Sequence, residues 1–278
     1  SKISISPGLN SLKVLNIFLY LNWTKIDKHY LLVIIENLLL ASIWFWSFGM
    51  SKNIENKSTD MTNWDRSGLP GWAYFSEELF RLEQELLFRK HWQFVGHSNS
   101  ISEVGTYMCI DIAGERGLVI RGKDNNLRAF HNLCRHRGSR VVADQKGKCN
   151  KSIVCPYHGW VYELDGSLRG IARKETFPEM DNGGLGLVPL EMEIWNGFVF
   201  VRFKPSIQPS VKEIMSRFDN EIAAYGLKDM VPDEKSEWSE VVEANWKSVR
   251  DVDNEGYHVP QAHPGLHQLY GQNYNDEP

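Results

Sequence analysis

Two short runs constrain this chain more than anything else in it: Cys134-Arg135-His136-Arg137-Gly138 and Cys155-Pro156-Tyr157-His158-Gly159-Trp160. They read as C-x-H, eighteen residues, then C-x-x-H. Each half offers one thiolate and one imidazole on a tight loop, and its glycine lets the backbone come close to a bulky inorganic group. Four such ligands suit zinc or a [2Fe–2S] cluster, and the ligand count alone does not separate the two. Zinc fingers place both histidines together on a helix. Here each half pairs Cys with His, and both halves lie between strand-like segments.

Those segments fill the region from Thr106 to Phe203: TYMCIDI, GLVIR, LRAFHNL, GWVYEL and GFVFVRF, punctuated by turns such as Asp124-Asn125-Asn126 and Asp165-Gly166. They predict an all-β domain over 93–205. Of the other cysteines, Cys109 falls in a predicted strand as plain core and Cys149 in a loop as an idle thiol. Four cysteines in 278 residues do not make a disulfide scaffold.

Upstream, 50–92 reads as a polar arm followed by a helix that Ser76 caps, with Glu77 and Glu78 at its positive end and Leu79, Leu82 and Leu86 as its apolar face. Residues 1–49 form a leader whose run from Tyr30 to Met50 has the length of a membrane span, with Lys25 and Lys28 on its N-terminal flank. Three readings are open: a membrane anchor, a buried helix, or sequence that is not native protein. The opening on Ser1 and the start-like Met50 before a polar stretch favour the third. Downstream, Ser210 and Glu213 predict a capping box ahead of Val211, Ile214, Phe218 and Ile222, with a stop at Gly226. A strand over 237–243 and a helix from Asn245 are expected next. This second domain, 206–278, reads as truncated, because some seventy residues of this kind do not complete a fold.

The pairing CRHRG with CPYHGW resembles the Rieske non-haem iron oxygenases, in their ring-hydroxylating α-subunit branch. The resemblance implies that Cys134 and Cys155 bind one iron of a [2Fe–2S] cluster and His136 and His158 the other. The extra cysteine that respiratory Rieske proteins carry in each loop is missing; Arg137, Gly138 and Tyr157 stand there instead. The implied class is α+β: an all-β Rieske domain, then the start of an α+β helix-grip catalytic domain.

About a hundred residues later stand Asn245-Trp246-Lys247 and then Glu255, His258 and His263. Pro260 lies between the two histidines, so they are not expected on one regular helix face; the reading puts His258 on a last helical turn and His263 on the loop after it. Two such imidazoles suit an Fe(II) facial triad. The stretch resembles the family's N-W-K … [DE]-x-x-H-x-x-x-x-H signature, which implies that His258 and His263 bind catalytic iron. Glu255 would be the bridging carboxylate that receives electrons from the neighbouring subunit's cluster. The third ligand, a carboxylate, is expected beyond the present chain. Asp251 departs from the asparagine of several aromatic-ring dioxygenases.

The expected function is a terminal oxygenase component, cytoplasmic, that takes electrons from NAD(P)H through a reductase or ferredoxin. It would activate O2 against an aromatic or other small organic substrate, betaines included. A homotrimer or α3β3 assembly is implied by the bridge between subunits. The rival is a membrane-anchored Rieske electron carrier without oxygenase activity. Net charge −4 and a pI near 6.2 leave no basic footprint for nucleic acid.

Overall fold

The computed structural model describes residues 68–177, 184–233, 239–254 and 256–265; the apolar leader and Glu255 lie outside them. Two compact units are present. One takes in the described residues from Arg81 to Asp233, the other those from Gly68 to Phe80 and from Ser239 to Gly265. Among the described residues no helix is long and apolar enough to cross a membrane.

Helix α1 (Glu77–Leu82) starts as its sequence predicts, with the Ser76 hydroxyl accepting from the Leu79 N–H at 3.2 Å. Its buried residue is Phe80, followed by Glu83 in the next turn, whereas Leu82 is 48 % exposed. The expected leucine face is therefore corrected. A π-helical turn follows at Glu83–Phe88, and its wider pitch shifts the register by one residue.

The strands are β1 (Gln93–His97), β2 (Thr106–Ile112), β3 (Glu115–Arg121), β4 (Leu127–His131), β5 (Lys146–Lys148), β6 (Ile153–Val154), β7 (Val161–Tyr162), β8 (Leu168–Gly170), β9 (Glu191–Trp195) and β10 (Phe198–Arg202). They form three antiparallel sheets, in the orders β1-β10-β9, β4-β3-β2-β5 and β6-β7-β8. The tightest hairpins use two-residue loops with both residues at positive φ, Ala113-Gly114 (51° and 79°) and Asn196-Gly197 (47° and 88°). That geometry matches the right-handed twist of the strands it joins.

The central sheet is buried on both faces, which is why β2 and β3 read as nearly unbroken apolar runs. Met108, Ile110, Val119 and Ala129 face β1 and β10, packing on Val95, Val199 and Val201. The alternate residues, Tyr107, Cys109, Leu118, Ile120 and Phe130, pack on Cys134, Cys155, Trp160 and Tyr162. Leu118 and Ile120 are fully buried, each contributing roughly 1.5–3 kcal/mol. The all-β sandwich thus supports both motif loops from beneath.

Helices α2 (Val211–Met215) and α3 (Asp219–Ile222) follow. The capping box is present: Ser210 Oγ accepts from the Glu213 N–H at 3.1 Å, and the Glu213 carboxylate accepts from the Ser210 N–H at 2.7 Å. Gly226 stops the run at φ 62°. Val211, Met215, Phe218 and Ile222 pack on Trp195 and Phe200, so these helices cover the outer face of the β1-β10-β9 sheet rather than opening a separate core after 205. Of the strand expected over 237–243, the described residues from Ser239 show only a single bridge position at Val241. The alternating pattern there leaves Val241 and Val242 both more than 40 % exposed, so no buried face holds it as a strand. The last described helices are α4 (Trp246–Asp253), capped by the Asn245 side chain, and α5 (Val259–Ala262).

Candidate metal centres

The two cysteine loops are built alike. In the first, the Cys134 carbonyl accepts from the Gly138 N–H at 2.9 Å and the Cys134 N–H donates to Ser139 O at 2.7 Å. In the second, the Cys155 carbonyl accepts from the Gly159 N–H at 3.0 Å and the Cys155 N–H donates to Trp160 O at 2.8 Å. Gly138 and Gly159 close the loops at φ 65° and 68°, a conformation that a side chain would strain. Cys134 and Cys155 are both buried, 4 % and 2 % exposed, and both are free thiols.

The loops bring the imidazoles together, with the His136 and His158 ring centroids 4.6 Å apart. His136 is half-buried and stacks on Trp160 at 5.2 Å and 5°; His158 is exposed beside Tyr157. Burial, then the neighbouring His158 and Arg137, push His136 below the usual imidazole pKa, so it is neutral at pH 7, the metal-binding form. Burial raises the Cys134 thiol, opposed in part by the Tyr162 hydroxyl, so a metal must displace its proton.

The Nδ1 atom of His136 is buried and has no hydrogen-bond partner among the described residues. A buried acceptor without a partner costs about 1–3 kcal/mol, which a metal held at that atom would remove. The Cys134 and Cys155 thiols lie close enough to interact, as do the His136 and His158 rings, so the four donors fall into two pairs. Pairs are what a Rieske cluster asks for, since each of its irons takes two protein ligands. The donor set therefore fits a [2Fe–2S] group.

Two residues that the sequence reading did not single out complete the cradle. The Tyr162 hydroxyl sits 3.2 Å from Cys134 Sγ and accepts from the Arg135 N–H at 3.0 Å. Asn132, 1 % exposed, accepts from the Val141 and Val142 N–H groups at 3.0 and 3.1 Å and donates to Val142 O at 2.9 Å. It pins the far end of the first loop. Trp160 and Tyr162 are two apart in and beside a strand, so they share a face; that spacing was the available signal. Cys109 is core as expected, while Cys149 packs partly buried against the same core, and burial raises both thiols.

The second pair of histidines flanks α5. His258 caps its N-terminus and His263 its C-terminus, with ring centroids 5.3 Å apart at 78°. This corrects the expectation that His258 ends a helix. Pro260 lies in the first turn of α5, where no intrahelical N–H is needed, so it permits the helix between the histidines rather than breaking it. His258 is half-buried and His263 exposed.

Comparisons with known proteins agree with this geometry. The Rieske [2Fe-2S] domain family matches residues 91–181, and the ring hydroxylating alpha subunit (catalytic domain) family matches 228–276. An α+β chain with this sandwich, these loops and these two matches belongs to the Rieske non-haem iron oxygenases, as α-subunit sequence. Among its relatives are the glycine betaine monooxygenase oxygenase subunit of Chromohalobacter salexigens, 37 % identical across 71 % of this chain and 43 % of that protein, and the carnitine monooxygenase oxygenase subunit of Escherichia coli K12, 33 % identical across 71 % and 52 %. A solved quaternary ammonium Rieske monooxygenase with L-carnitine bound superposes with a TM-score of 0.63 at 32 % identity, over 70 % of this chain and 55 % of that one. Naphthalene 1,2-dioxygenase with indole gives 0.55 at 28 % identity, over 70 % and 44 %. The chain spans about half the length of the curated relatives it matches.

Proposed function

We propose that this chain is oxygenase-component sequence of a Rieske monooxygenase acting on a small quaternary ammonium compound. In this reading Cys134 and Cys155 hold one iron of the cluster, His136 and His158 hold the other, and His258 and His263 hold a mononuclear iron. When bound, these groups supply one-electron transfer and O2 activation.

The chain's own residues bind and orient them. Trp160 and Phe177 wall the His136 ring, at 5.2 and 6.0 Å, and keep water from the inner side of the pair. His158, on the exposed side, presents the edge through which a reductase or ferredoxin, or the Glu255 carboxylate of a neighbouring copy in a trimeric or α3β3 assembly, would exchange electrons. A pure electron carrier, the rival reading, has no use for His258 and His263.

The observation that carries the proposal is the matched loop pair with the orphaned His136 Nδ1. The glycine betaine and carnitine names among the relatives favour a quaternary ammonium substrate over an aromatic one. The test is anaerobic purification with iron, sulfide and zinc analysis. A brown protein with a Rieske absorption spectrum that Cys134→Ala abolishes supports the reading; stoichiometric zinc without iron sinks it. Substrate choice is read from O2 uptake by the complete gene product with a reductase, comparing glycine betaine with naphthalene.

A further inference from the structure

Helix α4 is unusual in what it buries. Val252 is 55 % exposed, while Lys247 and Arg250, three apart and therefore on one face, are 5 % and 8 % exposed. Arg250 donates through Nη1 to Asp253 at 3.0 Å. Among the described residues its other two nitrogens, Nε and Nη2, are buried and find no hydrogen-bond partner. Those two lie on the same side of the planar guanidinium, and their N–H groups form the fork that receives the two oxygens of one carboxylate. A cation withdrawn from water with that fork empty is strongly disfavoured, and a planar anion is the group that matches it.

We propose that the Nε/Nη2 edge of Arg250 is a carboxylate-binding site, with Asp253 holding the guanidinium in place from its other end. The carboxylate belongs to a small molecule or to a second copy of this chain; the chemistry is the same and the test separates the sources. The site stands apart from the metal assignments, so failure of either leaves the other intact.

The test follows the Arg250 Nε–H resonance, assigned by its loss in Arg250→Lys, and its exchange with water. Glycine betaine serves as the carboxylate probe. Choline, which carries a hydroxymethyl group in place of the carboxylate, serves as its control. A small-molecule site slows that exchange with betaine and not with choline, and Arg250→Lys weakens betaine binding roughly tenfold or more, because an ammonium offers no fork. A site filled by a second copy ignores both probes, gains protection as protein concentration rises, and loses self-association in the Lys variant. Equal protection by choline, or exchange that no probe or concentration changes, overturns the proposal. Arg250→Met keeps the apolar stem: a folded variant melting at or above the parent, with betaine binding and self-association unchanged, likewise overturns it.

Discussion

Tyr162 is held from two sides, by the Arg135 N–H and by Cys134 Sγ, and it is fully buried. Because it accepts from the backbone and burial keeps it protonated, its own O–H is free to donate to the sulfur. A hydrogen bond to a cluster sulfur favours the more negative, reduced form. Tyr162→Phe should therefore lower the reduction potential by roughly 20–60 mV, the one-electron equivalent of a single neutral hydrogen bond. A redox titration followed in the visible spectrum measures this, and an unchanged potential removes Tyr162 from the cluster's surroundings. Asn132→Ala should cost about 2–4 kcal/mol in a urea melt, since it strands two buried N–H groups and one carbonyl in the first loop. The four candidate ligands were legible in sequence because metal chemistry restricts residue type and spacing. Tyr162 and Asn132 were not, because their partners are fixed only when strands far apart in sequence meet.

At the scale of elements, the β9–β10 turn offers a sharp comparison. Gly197, at φ 88°, faces His97 so closely that an added Cβ would fall within the imidazole, whereas Gly226, at φ 62°, has open space around it. Gly197→Ala should cost roughly 2–4 kcal/mol and Gly226→Ala about 1 kcal/mol, with urea midpoints as the measure. Strand β1 and the bend just before it carry a pH dependence as well. Burial, with the charge of Arg202 adding to it, pushes His91 from 6.5 down to about 4, and burial lowers His97 in the same direction. The native state then binds fewer protons than the unfolded chain between those values. Stability is thus complete above pH 6.5 and drains as pH falls toward 4, by up to about 3 kcal/mol for His91. His91→Gln should flatten that slope in melts across the window. The sequence placed β2 and the capping box well, because alternation and box chemistry are local. It misjudged the α1 face and the setting of His258, since a π-turn and a first-turn proline change register without changing composition.

For the whole molecule, the cores decide what holds together. Among the described residues, the three apolar clusters are drawn from positions between Trp92 and Met230. A fragment from Arg81 to Trp238 should therefore melt in one cooperative transition and keep the complete iron–sulfur spectrum; a colourless or non-cooperative fragment would show that the cluster fold needs more of the chain. A border after Pro205 looked natural in the sequence because strands give way to helices there. The structure packs those helices on the strands, a long-range choice that no local pattern announces.

The sheets end in ways that matter outside the folded state. Strand β5 is Lys146-Gly147-Lys148, the edge of β4 is bridged at Phe130 by Pro189, β1 is bulged between Phe94 and Gly96, and β6 and β8 have only two and three residues. Charge, proline, a bulge or brevity each deny a passing chain a straight row of free amides. Those edges are therefore poor templates for a second chain when the protein is concentrated. Replacing both lysines of β5 with valine is the change that would give that protection away.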